Sequence, residues 1–409
     1  MRLADWLAHQ QAQHPNAIEL GLERVREVAN RLGLLPWSIP SVIVGGTNGK
    51  GSTVAYLTAL AAELKLRVGT YTSPHLQRYN ERIAIDAEPI DDEALEQAFE
   101  RIEAARGDIP LTFFEYGTLA AYEIFKRTAV DVAIVEVGLG GRLDATNVID
   151  ADVAVLTSIG LDHTDWLGPT LEHIGAEKAG IFRRGRPVVL GHSEMPQSVH
   201  RALDELACHA IWPATDLARI PQPRVSGPIQ RANAAAAVAA FEALIARRPE
   251  LQVGLPLAGS VIEAALRDVR LRGRCQRIEP ASATEPEWVL DVAHNPHAAV
   301  QLAAALRELP PVRRCIAVVG ILDDKDAVGI HDALADEIDG WVLVGLEGPR
   351  GGDVEALRAR WPATDNVLAM APDVAEGCAL AQALSGPGER IVVLGSFHVV
   401  GPALDWLGV

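Results

Sequence analysis

Short apolar runs separated by helix-like stretches recur along the chain. The runs at 42–44, 130–137, 153–159 and 187–190 are apolar at nearly every position, which is typical of strands covered on both faces. Stretches such as 91–102 lie between them and repeat apolar residues at helical spacing. Strands that alternate with helices predict an α/β fold with a mostly parallel, doubly wound sheet.

The pattern starts again near residue 273 and predicts a second, smaller, Rossmann-like α/β domain. Its predicted strands are four apolar runs at 288–292, 315–319, 340–344 and 390–394. We therefore divide the chain into domains of residues 1–275 and 276–409. The proline-rich stretch from about 211 to 230 lacks periodicity, which predicts a linker or an irregular flap.

A glycine-rich turn with one lysine follows the first apolar run. It reads Gly45-Gly46-Thr47-Asn48-Gly49-Lys50-Gly51-Ser52-Thr53, and a predicted helix begins at 54. Glycines let backbone N–H groups point at phosphate, a helix N-terminus attracts negative charge, and a lysine reaches the outer phosphates. The spacing departs from the usual P-loop, because position 44 is Val and Gly51 precedes the hydroxyl pair. A glycine-rich turn without function is the alternative interpretation.

Charge and cysteine content narrow the class of protein. A net charge of −17 over 409 residues argues against a nucleic-acid or anionic-membrane partner. The four cysteines are scattered, which favours free thiols in a reducing compartment. No stretch approaches the length of a membrane span. We expect a cytoplasmic, monomeric protein that acts on small molecules.

Polar residues lie at several predicted strand ends, where open parallel sheets bind their ligands. Ser73, Glu136 and His163 are three of them. A hydroxyl, a carboxylate and an imidazole beside a phosphate loop can hold Mg²⁺. A carboxylate in an apolar strand is costly unless it is paired or bound to a cation. His163 could instead hydrogen-bond a strand end.

The second predicted domain has its own polar strand end. Asp291 closes a strand and could bind ribose hydroxyls, as acidic residues do in Rossmann folds. Asn295-Pro296 suits a helix start, whereas His294 and His297 could be caps or core hydrogen-bonding groups. Arg274 could reach a phosphate, although a surface arginine is commoner.

The order of these signals resembles the Mur ligase superfamily and, within it, the folylpolyglutamate synthase/dihydrofolate synthase family. The resemblance spans residues 18 to 400. The stretches that carry it are 44–53, 72–76, 79–82, 114–118, 136–147, 162–168, 177–181, 291–298 and 395–398. The main departure is the region around 211–230, where the family has a longer, strand-containing segment.

The resemblance implies an ATP-dependent ligase that joins L-glutamate to a carboxylate. ATP would phosphorylate the carboxylate to an acyl phosphate, and the α-amino group of glutamate would then displace phosphate. The implied acceptors are dihydropteroate, which gives dihydrofolate, and tetrahydrofolate, which gives polyglutamates.

The resemblance also implies a role for each matching residue. The ATP contacts are Gly46, Thr47, Asn48, Gly49, Lys50, Gly51, Ser52, Asn233, Arg274 and Asp291. The ligands of two Mg²⁺ ions are Ser73, Glu136, His163 and a carboxylated Lys178. The pteroate contacts are Leu20, Gly21, Thr112, Phe113, Phe114, Glu115, Leu143, Asp144 and Ala145. Lys50, Lys178 and His163 would be catalytic, although the pattern alone favours a solvated helix lysine at position 178.

Two other functions stay open. A ligase that acts on a cell-wall precursor would carry the same phosphate loop. A P-loop switch that regulates a partner protein belongs to another class. A guanine-reading Asn-Lys-x-Asp motif is absent, since Asp324-Lys325-Asp326 does not match it, and a switch leaves the second domain unexplained.

Overall fold

The computed structural model describes two compact units. The described residues are 1–409 without 14–18, 214–218, 226, 268, 281, 283, 349–350 and 364–365. The first unit comprises residues 1–75, 79–223 and 231–269, and the second comprises 76–78, 224–230 and 270–409. Ile18 and parts of the predicted 211–230 flap lie outside the described residues.

An eight-stranded sheet forms the centre of the first unit. Its strands are β1 (Ser41–Gly45), β2 (Val68–Tyr71), β3 (Ile83–Ile85), β4 (Glu88–Pro89), β5 (Val132–Glu136), β6 (Val153–Leu156), β7 (Pro187–Leu190) and β8 (His209–Ile211). Their order is β4-β3-β2-β5-β1-β6-β7-β8. Among the described residues, β3 pairs antiparallel with both β2 and β4, and the other strand pairs of this sheet are parallel. The predicted mostly parallel sheet is confirmed.

Helices cover both faces of this sheet. They are α1 (Leu3–Gln13), α2 (Glu23–Arg31), α3 (Lys50–Glu63), α4 (Asp92–Arg106), α5 (Phe113–Arg127), α6 (Thr164–Leu167), α7 (Leu171–Ala179), α8 (Gln197–Glu205), α9 (Pro228–Arg247) and α10 (Gly259–Arg267). One buried cluster joins strand residues such as Val135 to Phe99 of α4 and Phe125 of α5. A second cluster joins Leu156 of β6 to Val199 of α8. Ile43 of β1 pairs with both Val135 and Ala154, so the two clusters lie beside each other on one face of the sheet. The alternate residues of β1, β5 and β6 are buried as well, as a doubly wound sheet requires.

The second unit is built on a six-stranded sheet with the order β13-β12-β11-β14-β10-β9. The strands are β9 (Gln276–Ile278), β10 (Glu287–Asp291), β11 (Cys315–Val319), β12 (Gly340–Val344), β13 (Val367–Ala371) and β14 (Arg390–Leu394). The helices are α11 (Pro296–Glu308), α12 (Ala327–Leu334), α13 (Val354–Arg360), α14 (Val374–Leu384) and α15 (Phe397–Leu407). Among the described residues of this sheet, β9 pairs antiparallel with β10, and the other strand pairs are parallel.

The four strands predicted here are present, but the two edge strands were not predicted. Along β13, exposed and buried positions alternate, and Leu368 and Met370 face solvent. An edge strand is covered on one face only, so it lacks the continuous apolar run that marks β11, β12 and β14. β9 is three residues long and mostly polar, which leaves little pattern to detect.

Two predicted helix starts are confirmed. The Asp91 side chain accepts a hydrogen bond from Ala94 N at 2.8 Å and caps α4. The Asn295 side chain accepts one from Ala298 N at 2.8 Å and caps α11, with proline at its first position. All four cysteines are free. Within the described part of the chain, no helix combines the length and apolar character that a bilayer crossing needs.

A buried ion pair ties two neighbouring strands of the second unit. Glu287 at the start of β10 pairs with Arg390 at the start of β14, and the Arg390 side chain is 5% exposed. Arg390 also donates to Pro310 O at 2.8 Å. Loss of the carboxylate would leave the guanidinium buried beside carbonyl oxygen alone.

Replacement of Glu287 by alanine should therefore destabilise this unit by about 3 kcal/mol, the usual cost of an uncompensated buried charge. Urea unfolding followed by tryptophan fluorescence would measure the change, since Trp288 is the next residue. Glu279→Ala is the matched control. Arg277 pairs with both Glu287 and Glu279, but the Glu279 side chain is 72% exposed. Equal, small effects of both substitutions would contradict this view of the Glu287 pair.

Candidate active site

The phosphate loop joins β1 to α3. Two of its glycines have backbone conformations that residues with a side chain rarely adopt. Gly46 has φ +146° and Gly49 has φ +89°. A Cβ on Gly46 would lie 1.9 Å from Thr157 Oγ1, and a Cβ on Gly49 would lie 2.7 Å from Asn233 Oδ1. Backbone conformation and close approach both require glycine at these positions.

The helix after the loop begins earlier than the sequence indicated. α3 starts at Lys50 and not at 54, so Lys50-Gly51-Ser52-Thr53 is its first turn. Thr53 N donates to Gly49 O at 3.0 Å, and Thr53 Oγ1 donates to the same oxygen at 2.9 Å. The lysine and the hydroxyls therefore stand at a helix N-terminus, which attracts anions.

The segment after β6 is hydrogen-bonded to the phosphate loop. Thr47 N donates to Ser158 O at 2.8 Å, and Thr47 Oγ1 accepts from Gly160 N at 3.0 Å. Thr157 Oγ1 and Ser158 Oγ donate to Asn48 O at 2.7 and 3.0 Å. β6 ends at Leu156, whereas the predicted strand 153–159 includes this hydroxyl pair. Its position directly after a buried apolar run was the signal for a role at the strand end.

Two lysines meet at one carbonyl oxygen of the loop. Lys50 Nζ donates to Gly46 O and Thr47 O, each at 3.2 Å. Lys178 Nζ, from the last turn of α7, donates to Gly46 O at 2.9 Å. Lys178 is 6% exposed, so its interpretation as a solvated helix lysine is wrong. Burial lowers the Lys178 pKa to about 7, and the neighbouring Lys50 charge adds to the shift.

Strand order brings the predicted metal ligands to the loop. The strands β2, β5, β1 and β6 are adjacent, and they lead respectively into Ser73, Glu136, the phosphate loop and His163. Glu136 is buried, and its Oε2 accepts from Ser73 N at 3.4 Å. A Cβ on Gly51 would lie 3.7 Å from the same oxygen, so the carboxylate lies against the first turn of α3.

His163 follows β6 in a left-handed conformation, with φ +51°, and caps α6 by position. Its backbone N donates to Asp162 Oδ1 at 2.9 Å. Within the described residues, no three His, Cys, Asp or Glu side chains cluster as a metal site. Of the four predicted metal ligands, only Glu136 and His163 are of these residue types. The other two are Ser73 and Lys178. Carboxylate and hydroxyl oxygens fit a hard cation such as Mg²⁺.

Two of the predicted pteroate residues form a capping box. Thr112 Oγ1 accepts from Glu115 N at 3.2 Å, and Glu115 Oε2 accepts from Thr112 N at 2.8 Å. Both residues are buried at the start of α5. Arg24 donates to Glu115 Oε1 at 3.2 Å and so ties α2 to this helix start. Their side chains hold the segment in place, and Phe113 and Phe114 between them remain partly exposed.

The three predicted pteroate segments lie together. Gly21 N donates to Leu143 O at 3.3 Å, which joins 20–21 to 143–145. The Phe114 ring packs against Gly138, where a Cβ would lie 2.5 Å from Cζ. These contacts gather an aromatic ring, two short loops and a glycine at one place, the composition expected for a flat aromatic ligand.

Asp144 has a structural role in this group. Its Oδ1 accepts from Thr146 N at 3.0 Å, and its Oδ2 accepts from Leu139 N at 2.8 Å. Burial raises the Asp144 pKa, and these hydrogen bonds act in the opposite direction. The carboxylate thereby shapes the loop that carries Leu143 and Ala145. The family resemblance implies only a pteroate contact for Asp144 and not this structural role.

In the second unit, Asp291 bonds to the backbone on both sides. Its Oδ2 accepts from Cys275 N and its Oδ1 from Ala293 N, both at 2.8 Å. Burial raises its pKa, and the Arg274 charge opposes the shift. The Arg274 guanidinium lies 5.6 Å from the centroid of the Phe397 ring.

The His294 ring makes the kind of backbone hydrogen bond that the alternative interpretation expected. Its Nδ1 lies 2.9 Å from Val292 O, and a carbonyl oxygen can only accept, so Nδ1 is the donor. The ring also approaches Phe397, with a centroid distance of 6.5 Å.

Comparison with known proteins identifies the family. The Mur ligase middle domain matches residues 44–195, and the Mur ligase, glutamate ligase domain matches 273–397. Dihydrofolate synthase/folylpolyglutamate synthase of Escherichia coli K12 is 41% identical over 98% of this chain and 95% of its own. The chain belongs to the dihydrofolate synthase/folylpolyglutamate synthase family.

Solved structures of the family share the fold. The structure of Escherichia coli FolC in complex with DHPP and ADP has a TM-score of 0.90 and 40% identity, covering 100% of this chain and 98% of its own. A bifunctional folylpolyglutamate synthase/dihydrofolate synthase with Mn, AMPPNP and L-glutamate bound has a TM-score of 0.88 and 40% identity, with coverage of 100% and 98%. The family membership confirms the resemblance found in the sequence.

The lowered pKa of Lys178 should make stability depend on pH. Between pH 7 and 10 the unfolded chain carries a proton on this lysine, whose ordinary pKa is about 10.4, and the folded chain does not. Its contribution to the unfolding free energy therefore rises by about 1.4 kcal/mol per pH unit. Lys178→Met lacks this amine. The amount by which its unfolding free energy exceeds that of wild type should be largest at or below pH 7 and should shrink towards pH 10.

Urea unfolding in buffer free of CO₂ and divalent metal would measure this profile. Lys126→Met is the control, since Lys126 is exposed on α5 and should leave the pH profile unchanged. A constant difference between wild type and Lys178→Met from pH 7 to 10 would show that the folded lysine keeps its proton.

Proposed function

We propose that the protein is an ATP-dependent ligase that adds L-glutamate to dihydropteroate, forming dihydrofolate, and to tetrahydrofolate, forming polyglutamates. The observation that carries the proposal is the edge of four adjacent strands at which the phosphate loop, Ser73, Glu136 and His163 stand together. Relatives named dihydrofolate synthase/folylpolyglutamate synthase match over nearly the whole chain. A cell-wall ligase and a regulatory switch have no comparable support.

ATP binding is proposed for the loop residues Gly46 to Ser52 and for three residues outside it. Asn233 touches the loop, because its Oδ1 lies where a Cβ on Gly49 would project. Arg274 and Asp291 would contact the nucleotide, with Asp291 on the ribose. Each Asp291 oxygen accepts one backbone N–H, and a carboxylate oxygen has a second lone pair for a ribose hydroxyl. The family structures that contain ADP and AMPPNP support nucleotide binding as such.

Two Mg²⁺ ions are proposed at Ser73, Glu136, His163 and Lys178. When bound, divalent cations neutralise the charge that develops on the transferred phosphoryl group. The buried carboxylate of Glu136 beside the loop supplies the kind of oxygen ligand that Mg²⁺ prefers. A family structure contains Mn.

Carboxylation of Lys178 is part of the proposal. The neutral amine attacks the carbon of CO₂, the nitrogen loses a proton, and a carbamate replaces the cation by an anion that can bind metal. A pKa of about 7 leaves a large fraction of the amine neutral near physiological pH. The carbamate keeps one N–H, so the hydrogen bond to Gly46 O can survive.

The reaction follows from these positions. An oxygen of the acceptor carboxylate attacks the γ-phosphorus of ATP, and ADP leaves. The amino nitrogen of glutamate attacks the acyl carbon, loses a proton, and phosphate leaves with the carboxylate oxygen. Lys50 is proposed to stabilise the negative charge that moves during phosphoryl transfer, whereas His163 and the carboxylated Lys178 would contribute to catalysis by holding the Mg²⁺ ions.

The acceptor is proposed to lie against Leu20-Gly21, residues 112–115 and residues 143–145. Phe113 and Phe114 would contact the pteroate rings, while the capping box and Asp144 hold the backbone of these segments in place. We place the boundary between the ATP-binding and glutamate-ligase domains at 275/276, close to residue 273 where the glutamate ligase match begins. A monomeric, cytoplasmic enzyme without nucleic-acid or membrane partners completes the proposal, and the free cysteines suit a reducing compartment.

A product assay tests the function. Purified protein with ATP, Mg²⁺ and L-glutamate should release ADP only when dihydropteroate or tetrahydrofolate is also present, with the glutamylated product seen by mass spectrometry. Lys178→Ala should lower either rate by roughly 100-fold, since loss of a metal-binding group removes charge stabilisation. Lys126→Ala should match wild type.

Three results would refute the function or the role of Lys178. ADP release without an acceptor, or no product with either acceptor, would refute the ligase. An unchanged rate in Lys178→Ala would refute the role of that lysine while leaving the ligase intact.

A further inference from the structure

Arg82 is held between two aromatic rings near the start of β3. Its guanidinium carbon lies 5.3 Å from the centroid of the Tyr79 ring and 5.4 Å from that of Phe113. The two rings meet edge to face, with centroids 5.4 Å apart. Arg82 Nε donates to His75 Nδ1 at 2.9 Å. The rings and the imidazole together fix the direction of the guanidinium.

The Arg82 guanidinium has no carboxylate partner within the described part of the chain. Acidic residues outnumber basic ones by 54 to 37, and other arginines of the first unit do have acidic partners: Arg24 pairs with Glu115, and Arg101 with Glu123. A half-buried arginine that is oriented by aromatic rings and pairs with none of these acids retains N–H groups for an anionic ligand.

The position of Arg82 adjoins both parts of the proposed site. Thr72 N donates to Arg82 O at 2.9 Å, so the Arg82 backbone pairs with the residue before Ser73. Ser73 N in turn donates to Glu136. On its other side the guanidinium contacts Phe113, one of the partly exposed aromatic residues in the predicted pteroate group.

We propose that Arg82 binds the α-carboxylate of the glutamyl group on a tetrahydrofolate acceptor and thereby supports the polyglutamate activity in particular. This inference rests on the proposed function. Dihydropteroate has one carboxylate, which is consumed as the acyl phosphate. A glutamyl acceptor has two, of which the γ-carboxylate reacts and the α-carboxylate stays ionised. A planar guanidinium donates two parallel N–H bonds to such a group.

Two other carboxylates fit Arg82 less well. The reacting carboxylate must approach the γ-phosphate, where Lys50 supplies the charge. The incoming L-glutamate is a substrate of the glutamate ligase domain, whose match covers 273–397 in the second unit. Arg82 belongs to the first unit, together with the pteroate segments.

The test compares Arg82→Met and Arg82→Lys with wild type on three acceptors. These are dihydropteroate, tetrahydrofolate, and tetrahydropteroyl-4-aminobutyrate, which keeps the γ-carboxylate and lacks the α-carboxylate. Wild type should show a KM at least about tenfold lower for tetrahydrofolate than for the aminobutyrate analogue, as expected for one charge-assisted contact. Arg82→Met should lose this preference, and Arg82→Lys should keep part of it.

Further measurements separate a carboxylate contact from a structural role. The KM of Arg82→Met for dihydropteroate and for L-glutamate should stay within about threefold of wild type, a small change on the free-energy scale. Arg127→Met is the matched control: this arginine is 53% exposed on α5, the helix that begins with Phe113, and it should behave as wild type on all acceptors.

Several results would overturn the inference. A rise in KM that is equal for all three acceptors would make Arg82 a support for the pteroate group, and a rise for L-glutamate alone would assign it to the other substrate. Wild type without a preference for tetrahydrofolate over the analogue would refute the inference even if Arg82→Met failed to fold. Wild type without turnover on any acceptor would instead refute the proposed function.

Discussion

The carbonyl oxygen of Gly46 organises the site, because it accepts hydrogen bonds from both Lys50 and Lys178. Burial, and to a smaller extent the charge of Lys50, lower the Lys178 pKa to about 7, so the neutral form of its amine becomes accessible near pH 7. This carbonyl belongs to a glycine with φ +146°, a backbone conformation that residues with a side chain rarely adopt. One backbone conformation thus places a cation for phosphate beside an amine that can be modified.

The rest of the first unit supports this arrangement. Strand order puts β5 and β6 on either side of β1, so a carboxylate and a hydroxyl pair flank the loop. Several polar residues near the ligand groups stabilise backbone, as Asp144 and the Thr112–Glu115 box do. Ligand contacts are thereby left to exposed rings and loop edges, while buried polar groups fix their positions.

The buried strands and the loop could be predicted because their signals are local: a continuous apolar run, glycines and a lysine. The edge strand β13 could not, since one of its faces is solvated. The burial of Lys178 and the attachment of the loop through Thr157 depend on contacts between residues more than a hundred positions apart. A local sequence pattern does not predict contacts between residues so far apart in the chain. The family resemblance, not periodicity, singled out Lys178.

At this edge of the sheet, the γ-phosphoryl group of ATP is proposed to be transferred to the acceptor carboxylate. Dihydropteroate labelled with ¹⁸O in its carboxylate tests this directly, because the oxygen that attacks phosphorus leaves with it. After turnover with L-glutamate, mass spectrometry of the inorganic phosphate should find one ¹⁸O atom per molecule. Labelled AMP, or product formed with unlabelled phosphate, would contradict an acyl-phosphate intermediate and with it this account of the site.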